Sequence, residues 1–115
     1  MNKAFEKIAL IEGMIAAAFV TTEGKLGGWC ANSVISPDNL FFIAETCRVV
    51  LSANRAEQRP ANVGVVAFGN RTLVFREGEH GFFMAYLDSP TNDAVLKWLF
   101  DQVLPLLEAD GLKLE

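Results

Sequence analysis

The residues of this chain that could carry out chemistry are few and widely spaced. The segment most similar to a phosphate-binding loop is Glu23-Gly24-Lys25, which is followed by Gly27-Gly28. That loop needs a glycine five positions before Gly24, where Phe19 stands, and Ser or Thr after the lysine, where Leu26 stands. A charged residue followed by glycine is typical of a tight turn, so we predict a hairpin turn at this segment.

Acid–base chemistry has three further candidates, namely the single histidine, His80, and the carboxylates of Glu77 and Glu79. A general base needs a nucleophile or a pocket beside it, and the sequence indicates neither near His80. His80 lies in the predicted turn Gly78-Glu79-His80-Gly81. We therefore interpret His80 as a solvated turn residue, and Glu77 and Glu79 as solubilising charges that flank the turn.

The two cysteines, Cys30 and Cys47, could act as nucleophiles, pair as a disulfide or bind a metal. A cysteine nucleophile needs a histidine beside it, and the chain has one histidine, whereas a metal site needs more ligands than these residues supply. Because one cysteine is predicted on a strand and the other on a buried helix face, both resemble small core residues in a reducing cytoplasm. The sequence therefore predicts no enzymatic activity, no metal and no cofactor.

Composition and charge restrict the class of protein further. The 115 residues are enough for a single domain, which we place at residues 1–115, and 51% of them are hydrophobic. The net charge of -4 and the absence of a basic stripe argue against binding to nucleic acid or to an anionic membrane. The apolar stretch Met14–Val20 is far shorter than the roughly 20 residues that span a bilayer, and acidic residues precede it, so we expect a cytoplasmic protein.

The elements that position these residues follow from periodicity and turn signals. Both alternating faces of Met14–Thr21 are apolar, which is typical of a central strand covered on both sides. Ser36, Pro37 and Asp38 form a strong helix start. The predicted helices are Lys3–Glu12 (ended by Gly13), Ser36–Arg55 and Asp93–Ala109, and the predicted strands are Met14–Thr21, Lys25–Asn32, Val63–Phe68, Thr72–Glu77 and Phe82–Leu87.

Every link between consecutive strands is short enough for antiparallel pairing. We therefore predict an α/β (α+β) fold with a five-stranded antiparallel sheet, in the order helix, two strands, helix, three strands, helix. Because the first strand is apolar on both faces, helices must lie on both sides of the sheet. The first and last helices are expected on one face and the middle helix on the other, which gives a three-layer α/β/α sandwich.

The middle helix carries more apolar surface than one sheet could cover. One face combines Leu40, Ile43, Ala44, Cys47, Val50 and Leu51. The apolar surface continues around the side through Phe42, Thr46, Val49 and Ala53. Polar residues are confined to a narrow stripe, which also holds Phe41, and consist of Glu45, Arg48, Ser52 and Arg55. A partner is the simplest cover for this excess of apolar surface.

The strand Val63–Phe68 presents a second surface that needs a cover, because its edge is open if the last three strands end the sheet there. Two copies related by a twofold axis could join these edges while their middle helices pack side by side. The residues predicted to form this dimer interface are Phe42, Val49, Ala53, Val63, Val65 and Ala67. In the alternative interpretation, Phe42 and Val49 fold under the segment Arg55–Asn62 of the same chain.

The chain resembles the Roadblock family, the dynein light chain relatives that include bacterial regulators of small Ras-like GTPases. The resemblance extends over nearly the whole length, and the order of elements agrees with it. Its most specific part is a helix-ending glycine, a strand of small residues and an acidic-glycine turn, at Glu12-Gly13-Met14-Ile15-Ala16-Ala17-Ala18-Phe19-Val20 and Thr21-Thr22-Glu23-Gly24. The family often has Asp before the turn glycine, and this chain has Glu23.

This resemblance implies a homodimer, or a heterodimer with a relative, that serves as a platform for a small Ras-like GTPase. Some bacterial members stimulate GTP hydrolysis, and in this chain Arg48 is the residue that could act as an arginine finger. The competing interpretation is that Arg48 is one exposed charge and that the GTPase's own catalytic loops are held in place. The residues expected to face the partner are Phe41, Glu45, Arg48 and Ser52.

Two other functions remain open at this stage. The same dimer would serve as a scaffold without any regulation of a GTPase. A small-molecule sensing domain is the second alternative, because antiparallel sheets flanked by helices also contain ligand pockets. A cavity lined by Phe82, Met84, Tyr86 and Trp98 would favour the sensing function, whereas Trp29 and Trp98 in the core or at its rim would not.

Overall fold

A computed structural model describes residues 3–32, 36, 38–43, 45–46, 49 and 63–114. The strands are β1 (Met14–Thr21), β2 (Leu26–Ala31), β3 (Val63–Phe68), β4 (Arg71–Glu77) and β5 (Gly81–Leu87). The helices are α1 (Lys3–Ile8), α2, which is helical at 38–43, 45–46 and 49, and α3 (Asp93–Ala109). None of the described helices has both the length and the apolar character needed to cross a membrane.

The five strands form one antiparallel sheet in the order β2-β1-β5-β4-β3. β1 lies inside the sheet and pairs with both β2 and β5, and all its residues from Ala16 to Val20 are buried. This arrangement confirms the prediction of a central first strand. β3 lies at one edge of the sheet and β2 at the other, so the prediction that Val63–Phe68 is an edge strand is also confirmed.

One face of the sheet is covered by α1 and α3. Phe5 and Ile8 of α1 and the inward side chains of α3 form a single core with alternate residues of the strands. Phe83 of β5 meets Phe100 of α3 edge to face, with 6.3 Å between the ring centroids. Asn92 caps α3, because its side-chain oxygen accepts a hydrogen bond from the backbone N–H of Val95 (3.0 Å).

The opposite face of the sheet is covered by α2. Leu40 is fully buried there against the other set of alternate strand residues, and Phe41 and Ile43 pack against the same core. The predicted cap is present, since Ser36 Oγ accepts a hydrogen bond from the N–H of Asn39 (3.2 Å). With helices on both faces, the predicted three-layer fold is confirmed.

The bounds of β1, β3 and α3 agree with the prediction, and the other bounds differ by a few residues. α1 ends at Ile8 rather than Glu12, because the hydrogen bonds tighten after Ala9: the N–H of Leu10 donates to Lys7 O (3.1 Å). The side chain of Asn32 then donates to the carbonyls of Ala9 (3.0 Å) and Met14 (2.8 Å). This distant amide satisfies a carbonyl at the helix end and fixes the entry into β1.

Candidate functional site

The segment that resembles a phosphate loop is a hairpin turn between β1 and β2. The N–H of Gly24 donates to Thr21 O (3.0 Å), and the N–H of Thr21 donates to Lys25 O (2.7 Å). Gly24 has φ +81, the left-handed conformation that favours glycine in such turns. The segment therefore closes a β-ladder, as predicted.

His80 lies in the turn between β4 and β5, and it is exposed. Its backbone N–H donates to Leu114 O (3.2 Å), so the segment that follows α3 contacts this turn. The open cleft beside it has a volume of about 300 Å³ and is lined by Phe19, Thr21, Thr22, Glu23, His80, Gly111, Leu112 and Lys113. In the described part of the chain, no three His, Cys, Asp or Glu side chains come together in a way that would hold a metal ion.

Cys30 is a buried thiol on β2, in agreement with the prediction of a core residue. Burial raises the pKa of Cys30 from 9.0 to about 11, and a hydrogen bond with the backbone of Ala17 opposes that rise. A thiol with this pKa is almost entirely protonated at neutral pH and is a poor nucleophile. Cys47 lies outside the described residues.

The four side chains whose shared cavity would have favoured a small-molecule sensing domain do not lie together. Phe82 and Met84 are fully buried in the core beneath α2, and Tyr86 packs at its border. Trp98 lies on α3, which covers the opposite face, and 49% of its surface is exposed. The sheet itself separates Trp98 from the other three, because strand side chains alternate between faces.

α2 presents an exposed apolar stripe at the positions that the sequence predicted. Phe42 is 71% exposed and Val49 is 66% exposed, and Thr46 lies between them at helical spacing. The Thr46 hydroxyl donates to the carbonyl of Phe42 (2.9 Å), so its hydrogen bond is made within the helix. Two large apolar side chains thus remain uncovered in the described part of the chain. The segment Arg55–Asn62, the alternative cover, contributes no described residue.

The predicted partner-facing residues divide into two groups. Phe41 and Glu45 are half-buried, and Phe41 packs against the core beneath α2, which differs from the fully exposed stripe expected from helical spacing. The turn of the helix that buries Leu40 also brings the neighbouring Phe41 partly onto the sheet. Arg48 and Ser52, together with Ala53 of the predicted dimer interface, lie outside the described residues.

Among the described residues no strand lies on the outer side of β3, which leaves an open row of backbone hydrogen-bonding groups there. The two-residue turn Gly69-Asn70 closes on Phe68 and Arg71, which face each other directly. Such a pair exchanges both of its hydrogen bonds, and inward and outward residues then alternate along the strand. The N–H and C=O groups of Val63, Val65 and Ala67 therefore point away from β4, towards the open edge.

The side chains of β3 also alternate between the two faces of the sheet. Gly64 and Val66 stand opposite Phe75 and Leu73, which belong to the core beneath α2. Val63, Val65 and Ala67 lie on the α1/α3 face, and Val65 is 46% exposed there. Val66, which is 38% exposed on the same face as α2, is a candidate interface residue that the sequence prediction missed. Only the register with β4 reveals which face it occupies.

We use the name α2–β3 surface for the stripe of Phe42, Thr46 and Val49 together with the open edge of β3. It combines uncovered apolar side chains on a helix with uncovered backbone groups on a strand. The first feature indicates a protein interaction site, and the second is a template for another strand. The arrangement can bind a protein, and its described residues bring together no acid or base.

Comparison with known proteins gives matches among solved structures. No protein-family model matches the sequence, and no curated protein matches it. A Roadblock/LC7 domain from Streptomyces avermitilis is similar with a TM-score of 0.68 and 13% identity over 95% of this chain and 92% of that chain. Myxococcus xanthus MglB is similar with a TM-score of 0.66 and 10% identity over 94% and 87%.

A structure described as MglB with a tetrameric arrangement is similar with a TM-score of 0.67 and 13% identity over 95% of this chain and 86% of that chain. At these low sequence identities the similarity shows a shared fold and nothing beyond it. The chain has the Roadblock/LC7 fold, in agreement with the resemblance found in its sequence.

Proposed function

We propose that this chain is a dimeric, non-enzymatic regulatory or scaffold protein of the Roadblock type, which binds and regulates a small Ras-like GTPase in the cytoplasm. The observation that carries the proposal is the α2–β3 surface, where exposed apolar side chains and an open strand edge occur in one small domain. The likeness to the Roadblock/LC7 and MglB structures supports it, as does the resemblance of the turn after β1.

The open edge favours a second copy of the chain as the partner of β3. The outward groups are those of Val63, Val65 and Ala67, so the register with the most hydrogen bonds is centred on Val65. In this register Val65 lies opposite Val65 of the second copy. On the face that α2 covers, each Gly64 lies opposite Val66 of the other copy, so the smallest residue meets a large one.

The exposed stripe of α2 supplies the apolar part of the same interface. Burial of a fully exposed Phe or Val side chain contributes about 1.5–3 kcal/mol, and a twofold dimer buries each such residue twice. Phe42 and Val49 are mostly exposed in the single chain, so most of that contribution is still available for association. The stripe therefore supports side-by-side packing of two α2 helices.

We infer that the GTPase binds across α2, at Phe41, Glu45, Arg48 and Ser52. Two α2 helices side by side would give a twofold platform that presents these residues in duplicate. Regulation then occurs in one of two ways: Arg48 enters the nucleotide site as an arginine finger, or the platform holds the GTPase's own catalytic loops in place. A platform that binds the GTPase with no effect on hydrolysis would be a scaffold.

The experiment that tests the proposal has two stages. Light scattering of the purified chain at micromolar concentrations measures its mass, and a stable dimer is expected. A small Ras-like GTPase is then loaded with GDP or with a non-hydrolysable GTP analogue, and binding and GTP hydrolysis are measured. A monomer throughout would overturn the dimer, and a dimer that binds neither form of the GTPase would overturn the assigned partner.

A further inference from the structure

α2 connects opposite edges and opposite ends of the sheet. It follows the end of β2, where Ala31 pairs with Ala16 near the start of β1. The chain re-enters the sheet at Val63, the first residue of the other edge strand, which lies level with the far end of β1. A helix between these two points runs obliquely across the sheet, from the β2 edge towards the β3 edge.

The handedness of the sheet is fixed by the backbone of Thr21. Its side chain lies on the α1/α3 face beside Phe19, and its N–H donates to Lys25 O (2.7 Å), at the start of β2. In a strand of L-residues that runs upwards, a residue whose side chain points away from the viewer directs its N–H and C=O to the left. Viewed from α2 with β1 running upwards, β2 therefore lies on the left and β3 on the right.

The two flanks of α2 face different edges as a consequence. Leu40 points down onto the sheet. In a right-handed helix that runs upwards in this view, the residues one and five positions later lie on the left, and those three and six positions later lie on the right. Phe41 and Glu45 thus face the β2 edge. Ile43 and Thr46 face the β3 edge.

β2 places apolar side chains beside the left flank of α2. Leu26, Trp29 and Ala31 pack against the core beneath α2, and all three remain half-buried. Phe41 is half-buried against the same core. We use the name β2 strip for these four residues, of which Trp29 is the largest. α2 covers the β2 strip incompletely, so its apolar surface is available to a partner.

The position of the β2 strip restricts what can bind there. A second copy of the chain is expected at the other flank of α2, beside β3. An added strand is disfavoured, because Gly27 is an extra residue in β2 and interrupts the regular ladder. The surface of α2 that the proposed function assigns to the GTPase includes Phe41 and Glu45, which lie on this flank. The β2 strip continues that surface.

We propose that the small Ras-like GTPase, whose binding rests on the proposed function, contacts both α2 and β2, and that Trp29 is the residue that anchors it. Tryptophan combines a large apolar area with a polar indole N–H, and it is enriched among the few residues that dominate the affinity of protein interfaces. The dimer and the GTPase then use opposite flanks of the same helix and do not compete.

The test labels the chain with 5-fluorotryptophan, which gives each of its two tryptophans a ¹⁹F NMR resonance. Trp29→Phe and Trp98→Phe assign the two resonances. Titration with an unlabelled GTPase that carries a non-hydrolysable GTP analogue is expected to shift the Trp29 resonance. Trp98 lies on α3, on the opposite face of the sheet, and its resonance should stay in place. An unshifted Trp29 resonance in a complex, or a shift at Trp98 as large as that at Trp29, would overturn the proposal.

Affinity provides the second readout. Trp29→Ala is expected to weaken GTPase binding by about tenfold or more, whereas Trp29→Phe should retain part of the affinity. Trp98→Ala is the matched control and should bind as the wild-type chain does. Urea midpoints check that each variant is folded, and the NMR titration decides if Trp29→Ala is not. Equal binding by folded Trp29→Ala and the wild-type chain would contradict the anchor.

Two further results separate this proposal from the proposed function. Light scattering should show that Trp29→Ala has the same mass as the wild-type chain, because Trp29 lies away from the expected dimer interface. A wild-type chain that binds the GTPase in neither nucleotide state would remove the assigned partner together with the anchor. Binding that is insensitive to Trp29 would remove the anchor alone.

Discussion

The ring of Phe75 in β4 lies over Gly64 in β3, where it occupies the space that a side chain at position 64 would need. Phe75 is buried in the core beneath α2 and packs against Phe82, with 6.0 Å between the ring centroids. Because Gly64 has no side chain, the buried ring of Phe75 packs directly against the backbone of the edge strand. Glycine at position 64 is explained by this close approach.

Gly64→Ala is expected to destabilise the fold by about 1–3 kcal/mol, because its methyl group overlaps a ring that the core holds in place. Urea denaturation followed by tryptophan fluorescence measures the loss. In a Phe75→Leu background the same substitution should cost much less, since the smaller side chain leaves room. Equal costs in the two backgrounds would show that Phe75 is not the cause.

Val49→Asp is expected to convert the dimer into a folded monomer. Val49 is exposed in the single chain, so the substitution leaves the monomer fold intact, but an unpaired carboxylate buried between two α2 helices costs several kcal/mol. Light scattering and the urea midpoint check mass and fold separately. Gln102→Asp, on the exposed side of α3, is the control and should remain dimeric. If Val49→Asp also remains dimeric, the dimer interface does not include Val49.

Val65→Cys is expected to form an intermolecular disulfide under mild oxidation. Opposed residues in a hydrogen-bonded antiparallel pair have Cα atoms about 5.5 Å apart, which a disulfide can span. Val66→Cys is the matched control, since in the same register it lies opposite Gly64 and about 8 Å or more from its own copy. A non-reducing gel should show the covalent dimer for Val65→Cys alone. The reverse result would place the twofold axis at another residue.

Arg48→Ala is expected to leave the fold and the dimer intact, because Arg48 is predicted to be one charge of a polar stripe. Hydrolysis of GTP by the partner GTPase distinguishes the two modes of regulation. An arginine finger increases the rate of GTP hydrolysis by a factor of about 10³–10⁵. Loss of all stimulation with retained binding would therefore identify Arg48 as the finger. Unchanged stimulation would assign the effect to the GTPase's own loops.

Cys30 is expected to resist alkylation in the folded protein. With its pKa raised to about 11 by burial, the thiolate is about a hundredfold scarcer at pH 8 than at a pKa of 9.0. Burial favours the neutral thiol, so this contribution to stability is fully present below pH 9.0 and is lost as the pH rises towards 11. Peptide-resolved mass spectrometry after iodoacetamide treatment, with and without urea, measures the protection. Equal labelling in both conditions would contradict it.

Much of the fold could be predicted because its signals are local. β1 has small residues on both faces, β3 and β4 are joined by a glycine-asparagine turn, and α3 begins at a capping asparagine. Each of these signals lies within the element that it defines. The exposure of Phe42 and Val49 was predictable for the same reason, since it depends on helical spacing.

The features that could not be predicted depend on residues far apart in the chain. A carbonyl at the end of α1 is satisfied by Asn32, whose side chain reaches Ala9 O from 23 residues away. The face occupied by Val66 depends on its register opposite Leu73. Helical spacing alone predicts that Phe41 is exposed. Its contact with the sheet depends on how α2 is rotated about its axis over the core.

β2, at the edge of the sheet opposite β3, contains a β-bulge that hinders pairing with a further strand. Phe19 pairs with Gly28 and Val20 with Leu26, so Gly27 is an extra residue in β2. A bulge of this kind bends its strand and interrupts the regular ladder that an incoming strand would need. Two copies joined at β3 would display bulged strands at both ends, and growth into a fibre through successive sheet edges would stop at the pair.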